Sequence, residues 1–117
     1  MERRELCKQV RRLVVKVGSG VLSRGTACLQ AEAIQGLAKQ MASATAQGVQ
    51  TILVSSGAVM AGLERLERME RPRTIPLKQA AAAVGQSVLM ATYEEAFRPF
   101  GIKVAQILLT QDDLRDR

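Results

Sequence analysis

A chain of 117 residues, 47% of them hydrophobic, is long enough for one small domain with a core and short for an enzyme of mixed helices and strands. Lys and Arg number 17 against 11 carboxylates, a formal charge of +6 that suits an anionic small molecule, a nucleic acid or a merely solvated surface. The few aromatics, Tyr93, Phe97 and Phe100, count against nucleic-acid binding by base stacking, and the absence of histidine removes the commonest metal ligand.

Cys7 and Cys28 have neither the number nor the spacing of a disulfide framework or a zinc site, and are expected as reduced thiols of a cytoplasmic protein. No stretch approaches the roughly 18 apolar residues of a membrane span. The amino terminus lacks the apolar run of a secretory signal, and its glutamates and lack of serine argue against an organellar transit peptide.

Residues 1–12 read as a basic, frayed lead-in, with Arg3, Arg4, Lys8, Arg11 and Arg12 outnumbering Glu2 and Glu5, and residues 13–117 as the domain proper. From Arg12 to Val17, apolar β-branched residues run into a lone lysine, Lys16, and then into Gly18-Ser19-Gly20. This predicts a buried strand whose carboxyl end carries a cation beside a small flexible turn able to present backbone N–H groups to a phosphate. It is neither a P-loop, because the lysine precedes the glycines, nor G-x-G-x-x-G, because position 23 holds Ser23. Alone, such a stretch reads first as an ordinary strand end with Lys16 reaching into solvent.

Val21 to Thr26 is turn-rich. Ile34, Leu37, Ala38, Met41, Ala44 and Thr45 then recur at helical spacing, predicting an amphipathic helix over 31–47 with Gly48 closing it. Thr51-Ile52-Leu53-Val54 predicts a second buried strand over 49–55. Strand, helix, strand in this span is a βαβ unit with parallel strands. At Ser55-Ser56-Gly57 the second strand passes almost directly into a helix running to Leu66, whose N-terminal N–H groups and dipole make a second anion-receptive point.

Residues 67–76, with Pro72 and Pro76 and arginines alternating with glutamates, read as a surface loop. A long helix is expected over 77–97, with Ala80, Ala83, Val84, Val88 and Ala91 on its packed face and Gly85 allowing a close approach. Pro99 and Gly101 end it, a third strand is expected over 103–109, and Thr110-Gln111-Asp112-Asp113 starts a further turn or helix.

Two strand-to-helix junctions, 16–20 and 55–58, should thus open on one edge of a parallel sheet. A lysine and two sets of backbone donors there would hold a phosphoryl group passing between a nucleotide and an acidic acceptor. A carboxylate acceptor is already an ionised nucleophile, so the lack of histidine is no obstacle. Ser56 has no base in view and is better placed as a donor than as a nucleophile.

Four ordered stretches carry a resemblance: Val14-Val15-Lys16-Val17-Gly18-Ser19, Val54-Ser55-Ser56-Gly57-Ala58-Val59, Lys78-Gln79-Ala80-Ala81-Ala82-Ala83-Val84-Gly85-Gln86-Ser87 and Gln106-Ile107-Leu108-Leu109-Thr110-Gln111-Asp112-Asp113. Together they resemble the glutamate 5-kinases of the amino-acid kinase family, over nearly the whole chain from Leu13. The resemblance implies an α/β fold, a three-layer αβα sandwich with a mainly parallel sheet, here incomplete. It also implies transfer of the γ-phosphate of ATP, accompanied by magnesium, to the side-chain carboxylate of L-glutamate in proline biosynthesis. By that likeness Lys16 would be catalytic and bind ATP, Gly18, Ser19 and Gly20 would line the phosphate site, and Ser56, Gly57 and Ala58 would hold glutamate.

Relatives often have Ser or Thr-Ser after the glycine where this chain has Ser19-Gly20, a change that loosens the loop. The resemblance further implies a longer kinase domain, with later glutamate ligands, a second lysine and a nucleotide-base pocket, and a homo-oligomer of the full-length protein. The chain is therefore expected to be an amino-terminal half, inactive alone. Alternatives are the kinase part of a bifunctional pyrroline-5-carboxylate synthase, another amino-acid kinase, or a non-catalytic anion-binding fragment.

Overall fold

The computed structural model of the protein describes residues 2–68 and 70–115. In chain order the elements are α1 (Arg3–Lys8), β1 (Arg12–Val17), α2 (Ser19–Ser23), α3 (Ala31–Ala46), β2 (Gln50–Ser55), α4 (Ala58–Arg65), α5 (Ile75–Phe97), a 3-10 turn (Arg98–Phe100) and α6 (Gln111–Arg115). The two β-branched runs pair as parallel strands, in register from Arg12 opposite Gln50 to Val17 opposite Ser55. The α/β class and the parallel pairing agree with the sequence.

The crossover helix α3 stops because Gly48 takes φ +84, a left-handed value that glycine adopts without a Cβ clash. Its N–H then reaches the Thr45 carbonyl at 3.0 Å and that of Val49 the Ala44 carbonyl at 3.1 Å, which satisfies two carbonyls the helix leaves open. Ile34, Ala38 and Met41 are buried along one stripe of α3, as its spacing predicts, joined by Ala42.

The core sits between the sheet and α3 and α5. Val17, Leu22, Ile34, Ala38, Met41, Leu89, Tyr93, Ala96 and Phe97 form one buried cluster, with Val15 and Leu53 packed against it from the strands. Strand alternation sends Val14, Lys16, Ile52 and Val54 to the opposite face. That face is open: Val14 is 59% exposed, Ile52 48% and Val54 49%. The described residues thus build a sheet with one helical layer, where a three-layer sandwich implies a second, and the strands are buried on one side only.

Helices α4 and α5 cross at backbone distance. A Cβ at Gly62 would collide with the Ala81 carbonyl, and one at Gly85 with the Ala58 carbonyl and the Gly62 nitrogen. Two glycines facing each other therefore set how near the helices lie. The buried stripe of α5 is Ala81, Gly85, Leu89, Tyr93, Ala96 and Phe97, whereas Ala80, Ala83 and Ala91 of the expected face are exposed. Alanine is apolar on every side, so a run of it leaves the facing direction to the larger Leu89, Tyr93 and Phe97.

Three further expectations are corrected. The turn-rich passage opens as a helix, α2, and turns only at Arg24 (φ 49) and Gly25 (φ 80). The loop expected over 67–76, described except at position 69, yields its last two residues to α5, where Pro76 suits the first turn and the Thr74 hydroxyl accepts from Leu77 N–H at 3.5 Å. Residues 103–109 join no ladder. Ile102 and Val104 touch the core and the Gln86 amide donates to Gln106 Oε1 at 2.8 Å, but Ile107, Leu108 and Leu109 are 83%, 71% and 61% exposed. A strand exists only through a neighbouring backbone, and among the described residues this segment forms no ladder with β1 or β2. The lead-in carries a helix, α1, with no buried residue.

Candidate functional site

Parallel strands end on the same edge, so β1 and β2 deliver residues 18–20 and 56–58 side by side. The pairing runs one residue past β2, where the Ser56 N–H donates to the Val17 carbonyl at 2.9 Å. Gly57 follows with φ +107, and a Cβ there would lie 3.1 Å from Leu22 Cδ1, 3.3 Å from Leu29 Cδ2 and 3.7 Å from Leu89 Cδ1. Leu22 belongs to α2. The first junction's helix therefore packs directly on the second junction's glycine.

No side chain caps the N-terminus of α4, the first backbone bond of which is Ala61 N–H to the Gly57 carbonyl at 2.9 Å. The N–H groups ahead of Ala61 are left for water or an anion. Gly18 caps α2 through its carbonyl, which accepts from Val21 and Leu22 N–H at 3.2 and 3.4 Å. Nothing lies within 4 Å of the place a Cβ would take on Gly18 or Gly20.

Lys16 stands on the open face of the sheet, opposite Val54 in register, and is exposed. Its ammonium is in no ion pair among the described residues, where the one pair found joins Arg24 to Glu32 at 3.2 Å. Ser56 is also exposed. The sequence-predicted residues Lys16, Gly18, Ser19, Gly20, Ser56, Gly57 and Ala58 thus share one sheet edge.

Sequence reasoning missed the support behind Ser56. Ser55 points inward, and its Oγ donates to the Ser56 carbonyl at 2.8 Å and lies 2.7 Å from the Tyr93 hydroxyl. A carbonyl can only accept, so the Ser55 proton is committed to it and Tyr93 O–H is the donor to Ser55 Oγ. Burial pushes the Tyr93 phenol above its ordinary pKa, with the Ser55 hydroxyl opposing in part. The signal available in the sequence was parity: Ser55 shares the inward face with Leu53, and a polar inward residue needs a partner.

A cavity of about 1040 Å³ lies at the opposite edge, lined by Lys8, Arg11, Arg12, Gln47 and Gly48 among others. The carboxyl end of α3 opens there, and its negative dipole end disfavours an anion despite the nearby cations. Among the described residues no group of three or more His, Cys, Asp or Glu gathers to hold a metal ion, both cysteines are free, and no helix is long and apolar enough to cross a membrane.

Comparison with known proteins agrees with these elements. The chain is 56% identical over 115 residues to the glutamate 5-kinase of Citrifermentans bemidjiense, which covers 98% of the chain and 31% of that protein. It is 56% identical over 112 residues to that of Geobacter sulfurreducens, covering 96% and 30%, and 54% identical over 107 residues to that of Thermus thermophilus, covering 92% and 29%. The chain spans about a third of the length of these curated relatives. Residues 11–117 match the amino acid kinase family, and the chain belongs to that family.

Proposed function

We propose that this chain supplies the phosphate-facing and acceptor-facing part of a glutamate 5-kinase, which transfers the γ-phosphate of ATP to the side-chain carboxylate of L-glutamate. The observation that carries this reading is the seating of the two junctions against each other at one sheet edge, through the Ser56 N–H to Val17 carbonyl bond. The identities to proteins named glutamate 5-kinase support it.

In this reading Lys16 is catalytic: its ammonium, uncommitted to any carboxylate among the described residues, offsets negative charge on the transferring phosphoryl group. Gly18, Ser19 and Gly20 line the phosphates, where the lack of neighbouring atoms around both glycines leaves room for a close approach of the backbone. Ser56, Gly57 and Ala58 take the acceptor, with Ser56 donating its hydroxyl and the uncapped start of α4 its N–H groups. The acceptor carboxylate attacks as it stands, so no general base is required.

The residues present fit the anionic part of ATP. Magnesium, which shields nucleotide phosphates, finds no carboxylate cluster among the described residues, and no step here runs through it.

The test is a chimera in which this chain replaces the matching segment of the Geobacter sulfurreducens relative. Turnover of ATP that depends on glutamate and not on aspartate, acetylglutamate or uridylate, with the acyl phosphate trapped by hydroxylamine, is the expected result. Lys16→Ala in the chimera should lower kcat by about a hundredfold or more while the fold is kept. A folded chimera without glutamate-dependent turnover, or one indifferent to Lys16→Ala, overturns the reading.

A further inference from the structure

We infer that Tyr93 is a positioning residue for the acceptor loop: its hydroxyl, acting through Ser55 Oγ, holds the Ser56–Gly57 peptide in the orientation that presents Ser56 and the start of α4 to a ligand. The inference deepens the reading of Ser56–Ala58 as the acceptor site and rests on it.

The geometry is a chain of two short bonds. Tyr93 O–H donates to Ser55 Oγ across 2.7 Å, and Ser55 Oγ donates to the Ser56 carbonyl across 2.8 Å. The Ser56 carbonyl belongs to the peptide that joins Ser56 to Gly57. Rotation of that plane would move the Gly57 N–H, change the Ser56 side-chain direction and disturb φ +107 at Gly57. The atoms nearest the place a Cβ would take on Gly57 are the apolar tips of Leu22, Leu29 and Leu89, which offer the peptide no hydrogen bond, so the two hydroxyls carry its polar support on that side.

Tyr93 is itself well held. It is 4% exposed, and it sits on the α5 face that also carries Gly85, where α5 meets α4 at backbone distance. One helix thus fixes the acceptor loop twice, once through the Ala58 backbone at Gly85 and once through the Tyr93 hydroxyl. A phenol filling space alone would not need its oxygen aimed at a strand-end serine 38 positions away.

The experiment follows two amides that depend on this peptide, Ser56 N–H bound to Val17 and Ala61 N–H bound to Gly57. Hydrogen exchange is measured by NMR on the 117-residue chain as wild type, Tyr93→Phe, Ser55→Ala and the double variant, and the KM for L-glutamate is measured in the chimera carrying the same changes. Both single changes delete one oxygen and keep the apolar volume. The Ser56 and Ala61 amides should exchange about tenfold faster in either single variant, the Met41 and Ala42 amides of α3 by no more than about twofold, and the double variant should be no faster than the singles. In the chimera either single change should raise the KM for glutamate several-fold with kcat little changed.

Equal acceleration in α3 and at the loop would make Tyr93 a contributor to global stability alone and overturn the inference, as would no acceleration anywhere. If the loop amides respond but the chimera's KM for glutamate does not move, the acceptor reading of Ser56–Ala58 fails and the positioning of the peptide stands.

Discussion

The two strand-to-helix junctions are written in nearly the same residues and are held in opposite ways. At the second, Gly57 has φ +107, three leucines close on it, Ser55 is tied to Tyr93, and α4 is pressed onto α5 through Gly62 and Gly85. At the first, Gly18 has φ −82, an ordinary value, and no atom lies within 4 Å of the place a Cβ would take on Gly18 or Gly20. Glycine at the second junction is demanded by the protein's own packing. Glycine at the first is not, and the space it leaves is what a phosphate approaching the backbone would use.

The sharpest way to break this comparison is at the crossing behind the second junction. Gly85→Ala forces backbone apart and should destabilise by about 3 kcal/mol, the upper end for overpacking, read by urea unfolding. An effect below about 1 kcal/mol would mean the crossing is looser than described. Gly57→Ala should follow at about 2 kcal/mol, from left-handed strain and crowding by Leu22 and Leu29, while Gly18→Ala should change stability by less than about 0.5 kcal/mol. Equal effects of the two alanines would erase the distinction.

Tyr93→Phe acts mainly on the loop and should lower global stability by only about 0.5 kcal/mol at neutral pH. The folded phenol pKa lies above the unfolded value of about 10, so its stabilisation is complete below that value. It is lost as pH rises toward and through the folded pKa, because the unfolded chain releases the proton first. Melting against pH should show wild type losing its advantage over Tyr93→Phe above about pH 10. Gly20→Ala, which places alanine within α2, should instead stabilise by about 0.5 kcal/mol while weakening phosphate binding.

How much of this could be read beforehand depended on the range of the interaction. The βαβ unit was legible because each element carries its own pattern: β-branched runs at 13–17 and 51–54, apolar residues three and four apart from Ile34, and Gly48 at the helix end. The shared edge then followed from parallel pairing. The buried face of α5 was hidden, since alanines mark no side, and only the position of the sheet selects Leu89 and Tyr93 over Val84 and Val88. The segment 103–109 has the composition of a strand, but composition cannot provide a ladder partner. The bond from Tyr93 to Ser55 links residues on different elements, and no local spacing announces it.

The same tyrosine has a practical meaning for light. The chain has one tyrosine and no tryptophan, so its near-ultraviolet absorption and emission come almost wholly from a single ring. That ring's hydroxyl is two hydrogen bonds from the Ser56 carbonyl. One chromophore thus lies under the acceptor loop, and a ligand arriving there should alter the chain's near-ultraviolet absorption or emission without any label being attached.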